Sequence, residues 1–410
     1  MRKLLAFLTV LSASTTTVAA DWPQWLGAKR DGGTTEIVKS WKEPLKIAWK
    51  QTVGVAEKTI QGHGGPVVAG GKTFLFFRTP GKYEETLAAF DAETGKPLWR
   101  TPYPRRKADF AYGNDPRSAP CVIDGKVYTF GITSVLTCFN AEDGKIVWQV
   151  NGEDAYKSPA LYFGASCSPI VVGDLVFVNM GAKGASIVAF DKNTGMEVWK
   201  TRDDGASYSS PFLYGPANAP RLAFLTAKGL VSVAPKDGTV HWDYPFVDLL
   251  LESSCTPMMV DGKLFISSIT AGSVLIDEGA GAKKPTKAWA KSFNCYFSTP
   301  VAISDSLYMV TGDLLAKKAM LRCVDPKTGD ERWRRTGVGN YHATPLRTGD
   351  NKLLLVEEKG DLVLIDPNPK EYRELSRSKI CGGTWAHPAL ANGRLYIRDD
   401  RELVCVELPK

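Results

Sequence analysis

The chain has 410 residues, 44% hydrophobic and 23% charged, a composition that supports a large buried core and excludes wholesale disorder. The net charge of +7 includes Arg2 and Lys3, and no basic run exceeds three residues, so a nucleic-acid partner is not expected.

The first twenty residues read as a secretory signal. Met1-Arg2-Lys3 is a positive start, LLAFLTVL an apolar stretch, and Val18-Ala19-Ala20 a small-residue cleavage site. The expectation is cleavage after Ala20 and a periplasmic or secreted protein. No later apolar run reaches bilayer length, so no transmembrane segment is expected. Residues 21–45 form an N-terminal extension, DWPQWLGAKRDGGTTEIVKSWKEPL, expected to pack across whatever follows. Trp22 lies in it and is expected to matter less than the tryptophans beyond. Residues 46–54, KIAWKQTVG, read as a lone strand with no partner beside it in sequence.

From there the chain repeats itself. AFDAETGKPLW at 89–99 returns as CFNAEDGKIVW at 138–148, AFDKNTGMEVW at 189–199 and CVDPKTGDERW at 323–333. Asp or Asn ends a strand and bonds the turn backbone. The Gly four residues on supplies a left-handed turn conformation. The Trp starts a returning outer strand, where its ring can fill the wedge between neighbouring sheets. A second marker, proline after a small or polar residue, falls at 66, 120, 169, 211, 257, 300, 345 and 388. Each proline opens short β-rich runs split by turn residues, about four strands per unit. That gives eight units, of which the last lacks an outer strand. The lone strand at 46–54 supplies it. The expectation is an all-β, eight-bladed β-propeller over 46–410, closed by an N-terminal outer strand. Some copies have drifted. The fourth has Ala234 at the Asp position, the fifth carries the insertion DEGAGAKKPTKAW, and the seventh, DPNPKEYRELS, has no tryptophan. Of the eight cysteines, Cys138, Cys323 and Cys405 fall at core positions of the repeat, so mostly free buried thiols are expected, with one bridge among the rest left open.

On these residues the chain resembles the PQQ-like repeat family, whose unit carries alDaxtGkxxW. That resemblance implies three branches. Quinoprotein dehydrogenases bind pyrroloquinoline quinone (PQQ) on the propeller axis and oxidise alcohols or sugars. The assembly lipoprotein of the bacterial outer-membrane barrel machinery is a non-catalytic scaffold. A third set comprises exported bacterial propellers opening with a WPQWRG-like segment, which Asp21 to Gly27 resembles. This chain has no adjacent cysteines to stack a quinone on, and no cysteine before Cys121 to carry a lipid.

The residue three before each marker proline gives a rim ring of His63, Arg117, Ser166, Tyr208, Ser254, Phe297, His342 and Trp385, with no carboxylate among them. Ligand-binding candidates are His63, Arg117, Tyr208, Phe297, His342 and Trp385. His63, His342 and His387 fall at the rim in consecutive blades and are candidate metal ligands, or else pore-lining groups bonded to backbone. The two longest connections, Trp99 to Pro120 and Trp148 to Pro169, lie on the same face. They offer Tyr103, Arg105, Arg106, Phe110, Tyr112, Tyr156 and Tyr162 as recognition-loop candidates. No GxSxG elbow supports a hydrolase. The function expected is an exported, non-catalytic scaffold binding a protein or small ligand at the rim, without cofactor; the alternative is a PQQ-dependent oxidoreductase.

Overall fold

The computed structural model describes residues 21–54, 63–279, 284–313 and 316–410, so the signal reading of residues 1–20 lies outside the described residues. Eight antiparallel four-stranded sheets follow one another along the chain. In blade one the strands run Val67–Ala69, Lys72–Arg78, Glu84–Asp91 and Pro97–Pro104 from the axis outward. The second and third strands of blades one and three are buried almost throughout, because neighbouring blades cover both faces. The outermost strands alternate, with one face packed and the other in solvent.

Blade eight closes as expected. Its own strands are Ala389–Ala391, Arg394–Arg398 and Glu402–Glu407, and Ile47–Thr52 pairs antiparallel with the last of them. Trp49 lies opposite Cys405. One hydrophobic cluster runs through blades seven, eight and one across this junction.

The repeat's sentence is a lock between blades. Gly95, Gly144, Gly195, Gly238 and Gly329 all have φ between +71° and +75°. Each lies against the outer-strand tryptophan of the preceding blade: Trp49, Trp99, Trp148, Trp199 and Trp289 in turn. The same indoles donate Nε1–H to carbonyls of that turn, Trp49 to Ala92 at 3.1 Å, Trp148 to Lys192 at 3.1 Å and Trp199 to Pro235 at 2.9 Å. Asp91 and Asp191 hold the turn by accepting from the backbone N–H groups two and three residues on. In the fourth copy Ala234 cannot do so, yet Gly238 N still donates to Ala234 O and the turn survives.

Blade seven shows how the missing tryptophan is replaced. Ser376 stands opposite Leu364, where Trp99 stands opposite Ala89 in blade one. Trp41 of the extension docks there instead. Its backbone exchanges two hydrogen bonds of 2.7 Å with Ser376 Oγ, and its indole donates to Ser378 Oγ at 2.8 Å.

The rest of the extension does more than cross one face. Trp22 pairs with Val68 and Gly33 with Arg347, both on innermost strands. Pro23 O accepts from Val122 N at 2.8 Å. Arg30, almost fully buried, donates to Ser168 O and Pro169 O at 3.0 Å each. Residues 22–33 therefore touch the innermost strands of blades one, two, three and seven and fill the channel between them. Trp22 is 3% exposed, more buried than the blade tryptophan Trp199 at 8%. The minor role expected for Trp22 is corrected: preceding the ring in sequence does not place it outside the core.

Candidate functional site

The connections that leave each outer strand for the next blade gather on one face, around the open end of the axis. Seven of the eight rim-ring residues, His63, Arg117, Ser166, Tyr208, Ser254, Phe297 and Trp385, line a cup there. The cup measures about 100 Å³, and Trp25 of the plug contributes to its lining. Trp25 is fixed by an Nε1 bond of 2.9 Å to Thr256 Oγ1, and its ring centre lies 4.2 Å from that of His387, another lining residue.

The walls are a continuous collar of rings. Phe297 stacks on Trp385 with centres 5.5 Å apart; Tyr112 lies 5.7 Å from Trp385 and 5.8 Å from Phe163; Phe163 lies 5.2 Å from Tyr208. Two rings holding a third between them need centres about 7 Å apart, twice the van der Waals spacing. None of these four contacting pairs is that far apart.

The polar groups of the cup are few. Arg117 donates Nε–H to Phe163 O at 2.6 Å and Nη2–H to Ala111 O at 2.6 Å and Gly113 O at 3.3 Å, while Nη1 is buried and unpartnered. Burial pushes its pKa down to about 10, which leaves it cationic at neutral pH. His63 Nε2 pairs with Tyr112 O at 2.9 Å, and burial followed by the Arg117 charge holds its pKa well below the ordinary histidine value. Burial likewise pushes His342 and His387 down to about 3, so both are neutral.

The histidines converge only in part. The rings of His342 and His387 are 5.2 Å apart, and His342 bonds Thr344 Oγ1 at 3.0 Å behind the cup rather than lining it. His63 instead lies edge-on to Trp385 at 5.4 Å. Among the described residues no three His, Cys, Asp or Glu side chains are grouped to hold a metal.

Carboxylates do reach this region: Asp115 and Glu252 lie two residues before Arg117 and Ser254 of the ring, and Glu358 comes from a hairpin of blade seven. Glu358 accepts from Trp385 Nε1 at 2.9 Å and from the backbone N–H groups of Asn340 and Tyr341. Asp115 pairs with Arg398 at 2.8 Å and accepts from Arg78 N. Glu252 holds the Tyr296 hydroxyl, and Tyr296 stacks on Phe297. Each is committed to holding a wall or a loop.

The long connections divide. Tyr103 is not on a loop: it belongs to the outer strand of blade one, is buried, and donates its hydroxyl to Glu85 at 2.8 Å. Arg105 is buried too, tied to the carbonyls of Arg106 and Ala108. Both serve as anchors rather than contact residues, because alternation on the strand turns Tyr103 inward and loop closure follows. Arg106 is exposed and forks onto Glu153 at 2.6 and 2.8 Å. Phe110 and Tyr156 are half-buried, while Tyr112 is 52% and Tyr162 70% exposed. Sequence reasoning passed over a third rim connection, Phe246 to Leu251, which leaves Val247, Leu249, Leu250 and Leu251 exposed, Leu249 by 83%. Its run of three leucines was the available signal. Beside it, linked by a 2.7 Å bond from Leu249 N to Thr270 Oγ1, a groove of about 570 Å³ opens between blades five and six, lined among others by Thr270, Asn294, Arg322 and Arg334.

Eight four-stranded blades, with turn glycines against outer tryptophans at five of their junctions, define a propeller of the PQQ-like repeat class. The family model described as outer membrane protein assembly factor BamB matches residues 84–335, more than half of the chain. The chain belongs to this family. It is 22% identical over 385 residues, 89% of each chain, to the outer membrane protein assembly factor BamB of Shewanella oneidensis. With the Salmonella typhimurium protein of the same name it shares 24% over 295 residues, 68% of this chain and 71% of the other. Similarity to the quinoprotein alcohol dehydrogenase PedH of Pseudomonas putida, at 25%, spans 40% of this chain and 28% of that one. Among solved structures, a europium-containing methanol dehydrogenase superposes with a TM-score of 0.67 at 13% identity, over 92% of this chain and 89% of the other. BamB from Moraxella catarrhalis gives 0.60 at 14%, over 87% and 100%. At such identities the structural likeness speaks for the fold alone.

Proposed function

We propose that this protein is an exported, non-catalytic propeller scaffold that binds a protein partner through its rim face. The observation that carries the reading is the solvent-exposed apolar tip Val247, Leu249, Leu250 and Leu251 beside a groove with two arginines. Arg322 and Arg334 share one carboxylate, Glu331, so the groove keeps a net positive charge. A monomer gains nothing by exposing clustered leucines, whereas an interface core is built from such groups ringed by polar ones. Tyr112, Tyr162 and Arg106 on the same face add residue types enriched in interfaces. The name of these relatives, outer membrane protein assembly factor, supports a scaffold role.

The oxidoreductase alternative fits less well. Axial PQQ would need a slot between flat groups and a carboxylate free to act as base or to hold a cation. The contacting ring pairs of the collar are closer than sandwich spacing, and Glu358, Asp115 and Glu252 are all engaged. His63 and Arg117 alone would suit the quinone's carboxylates.

Site-specific photo-crosslinkers test the reading in the host cell. Placed at Tyr162 and Leu249, they are expected to capture a defined partner; placed at Met196, exposed on the opposite face, they are not. Leu249→Glu should abolish capture from position 162 without lowering protein level. Equal capture from both faces, or none from the rim, would overturn the proposal.

A further inference from the structure

We infer that the axial cup binds a small anion built from one planar ring and one carboxylate, of benzoate size. The inference does not depend on the partner-binding reading, since it concerns the cup and not the exposed tips.

Size comes first. An engineered apolar cavity of about 150 Å³ takes one benzene. At about 100 Å³ with an open mouth, the cup holds a single ring with its edge towards solvent, and a fused tricycle is too large. The walls set the shape, because Trp385, Phe297, Tyr112, Phe163 and Tyr208 present faces and edges to whatever enters. Rings favour a planar guest through offset and edge-on packing.

Charge decides the class. Arg117 is the one charged group among the described residues lining the cup. Three of its donors hold backbone carbonyls, but Nη1 has no partner and is shut away from water. The neighbouring carboxylate, Asp115, is taken up by Arg398. A buried guanidinium N–H without an acceptor is costly, and a carboxylate oxygen offsets that cost with a charge-assisted bond. His387, 6% exposed, adds a second orphan: Nε2 meets Phe297 O at 3.3 Å and Nδ1 meets nothing. An aromatic cage for a cation would exclude arginine from its wall. A sugar would need several free hydroxyl partners, yet Ser166 and Ser254 already donate to the Gly164 and Glu252 carbonyls.

The test uses the full exported chain at pH 7.5, followed by tryptophan fluorescence, since Trp25 and Trp385 line the cup, and by calorimetry. Benzoate should give saturable quenching with a dissociation constant of about 1 mM or tighter. Benzamide should bind at least about tenfold more weakly, and benzylamine should leave the signal unchanged. Ser166→Phe, which fills the cup and leaves Arg117 in place, should abolish the response. Arg117→Met should weaken benzoate at least about tenfold; because Arg117 also ties two loops together, Ser254→Leu serves as a second block. No saturable response to benzoate, equal binding of benzamide, retention in both blocked variants, or tighter binding of PQQ than of benzoate would each overturn the inference.

Discussion

Gly195→Ala should report how much one lock between blades contributes. Gly195 has φ +72°, and a Cβ there would sit 2.6 Å from the ring of Trp148, where van der Waals contact needs about 3.5–4.0 Å. The ring must give way by about 1 Å, which loosens the 3.1 Å bond from Trp148 Nε1 to Lys192 O. Left-handed strain for an L-residue costs about 1–2 kcal/mol. Overpacking against a confined ring adds about 1–3 kcal/mol, for a total of about 2–5 kcal/mol. Gly125 is the matched control: φ is +71°, and nothing lies within 4 Å of the place a methyl group would take. Gly125→Ala should therefore cost the strain alone, about 1–2 kcal/mol. Equilibrium urea unfolding and calorimetric melting would compare the two variants with the parent chain. In a Trp148→Ala background the gap should vanish, since the two residues are then uncoupled. Equal losses from the two glycines, or a gap that survives without the indole, would refute the lock.

Deleting residues 46–54 should abolish cooperative melting or cause aggregation, because blade eight would show an unpaired edge; an unchanged melting curve would contradict this closure. Trp22→Ala should cost about 3–5 kcal/mol, as much as Trp199→Ala, because both indoles are buried; a near-neutral Trp22→Ala would return the extension to a surface role. Glu85, buried against Tyr103 and the Ile132 N–H, has its pKa raised to about 7, mainly by desolvation. The folded state then holds a proton that the unfolded chain releases near its ordinary carboxyl value, so Glu85's contribution is present at low pH and is lost as pH rises to about 7. The stability difference between the parent and Glu85→Gln should follow that slope from pH 5 to 8, and a flat difference would count against it. All eight cysteines are buried and free, so a thiol reagent should titrate them only on unfolding.

The blade count and the closing strand were legible because they rest on a repeated period, and the rim ring followed from position relative to the marker prolines. Other features depend on contacts between residues far apart in the chain. Trp41 replacing the tryptophan that blade seven lacks spans 335 residues, and nothing local to either partner announces it. The channel plug was read only as packing across the ring, since the contacts of Arg30 with Ser168 and Pro169 bridge more than 130 positions. Tyr103 looked like loop because it falls in the long connection from Trp99 to Pro120, yet strand pairing continues to Pro104. Glu358 escaped notice for the same reason as the plug: a ring drawn at fixed spacing cannot include a side chain that arrives from a neighbouring turn. Asp109 and Asp115 were the acids the long loop could fold inward, and Asp115 pairs with Arg398.

The strand pairing of Trp49 with Cys405 ties the chain into a circle of more than 350 residues. In polymer terms that circle is inexpensive. Loop-closure entropy grows only with the logarithm of contour length, so joining ends this far apart costs about 3 kcal/mol more than closing a ten-residue hairpin. Burying one large side chain such as Trp49 recovers about that much. The cost falls on time instead. No segment shorter than nearly the whole chain can complete the ring, so the last blade must wait for both ends, and until they meet the sheet edges on either side of the gap stay open to other strands.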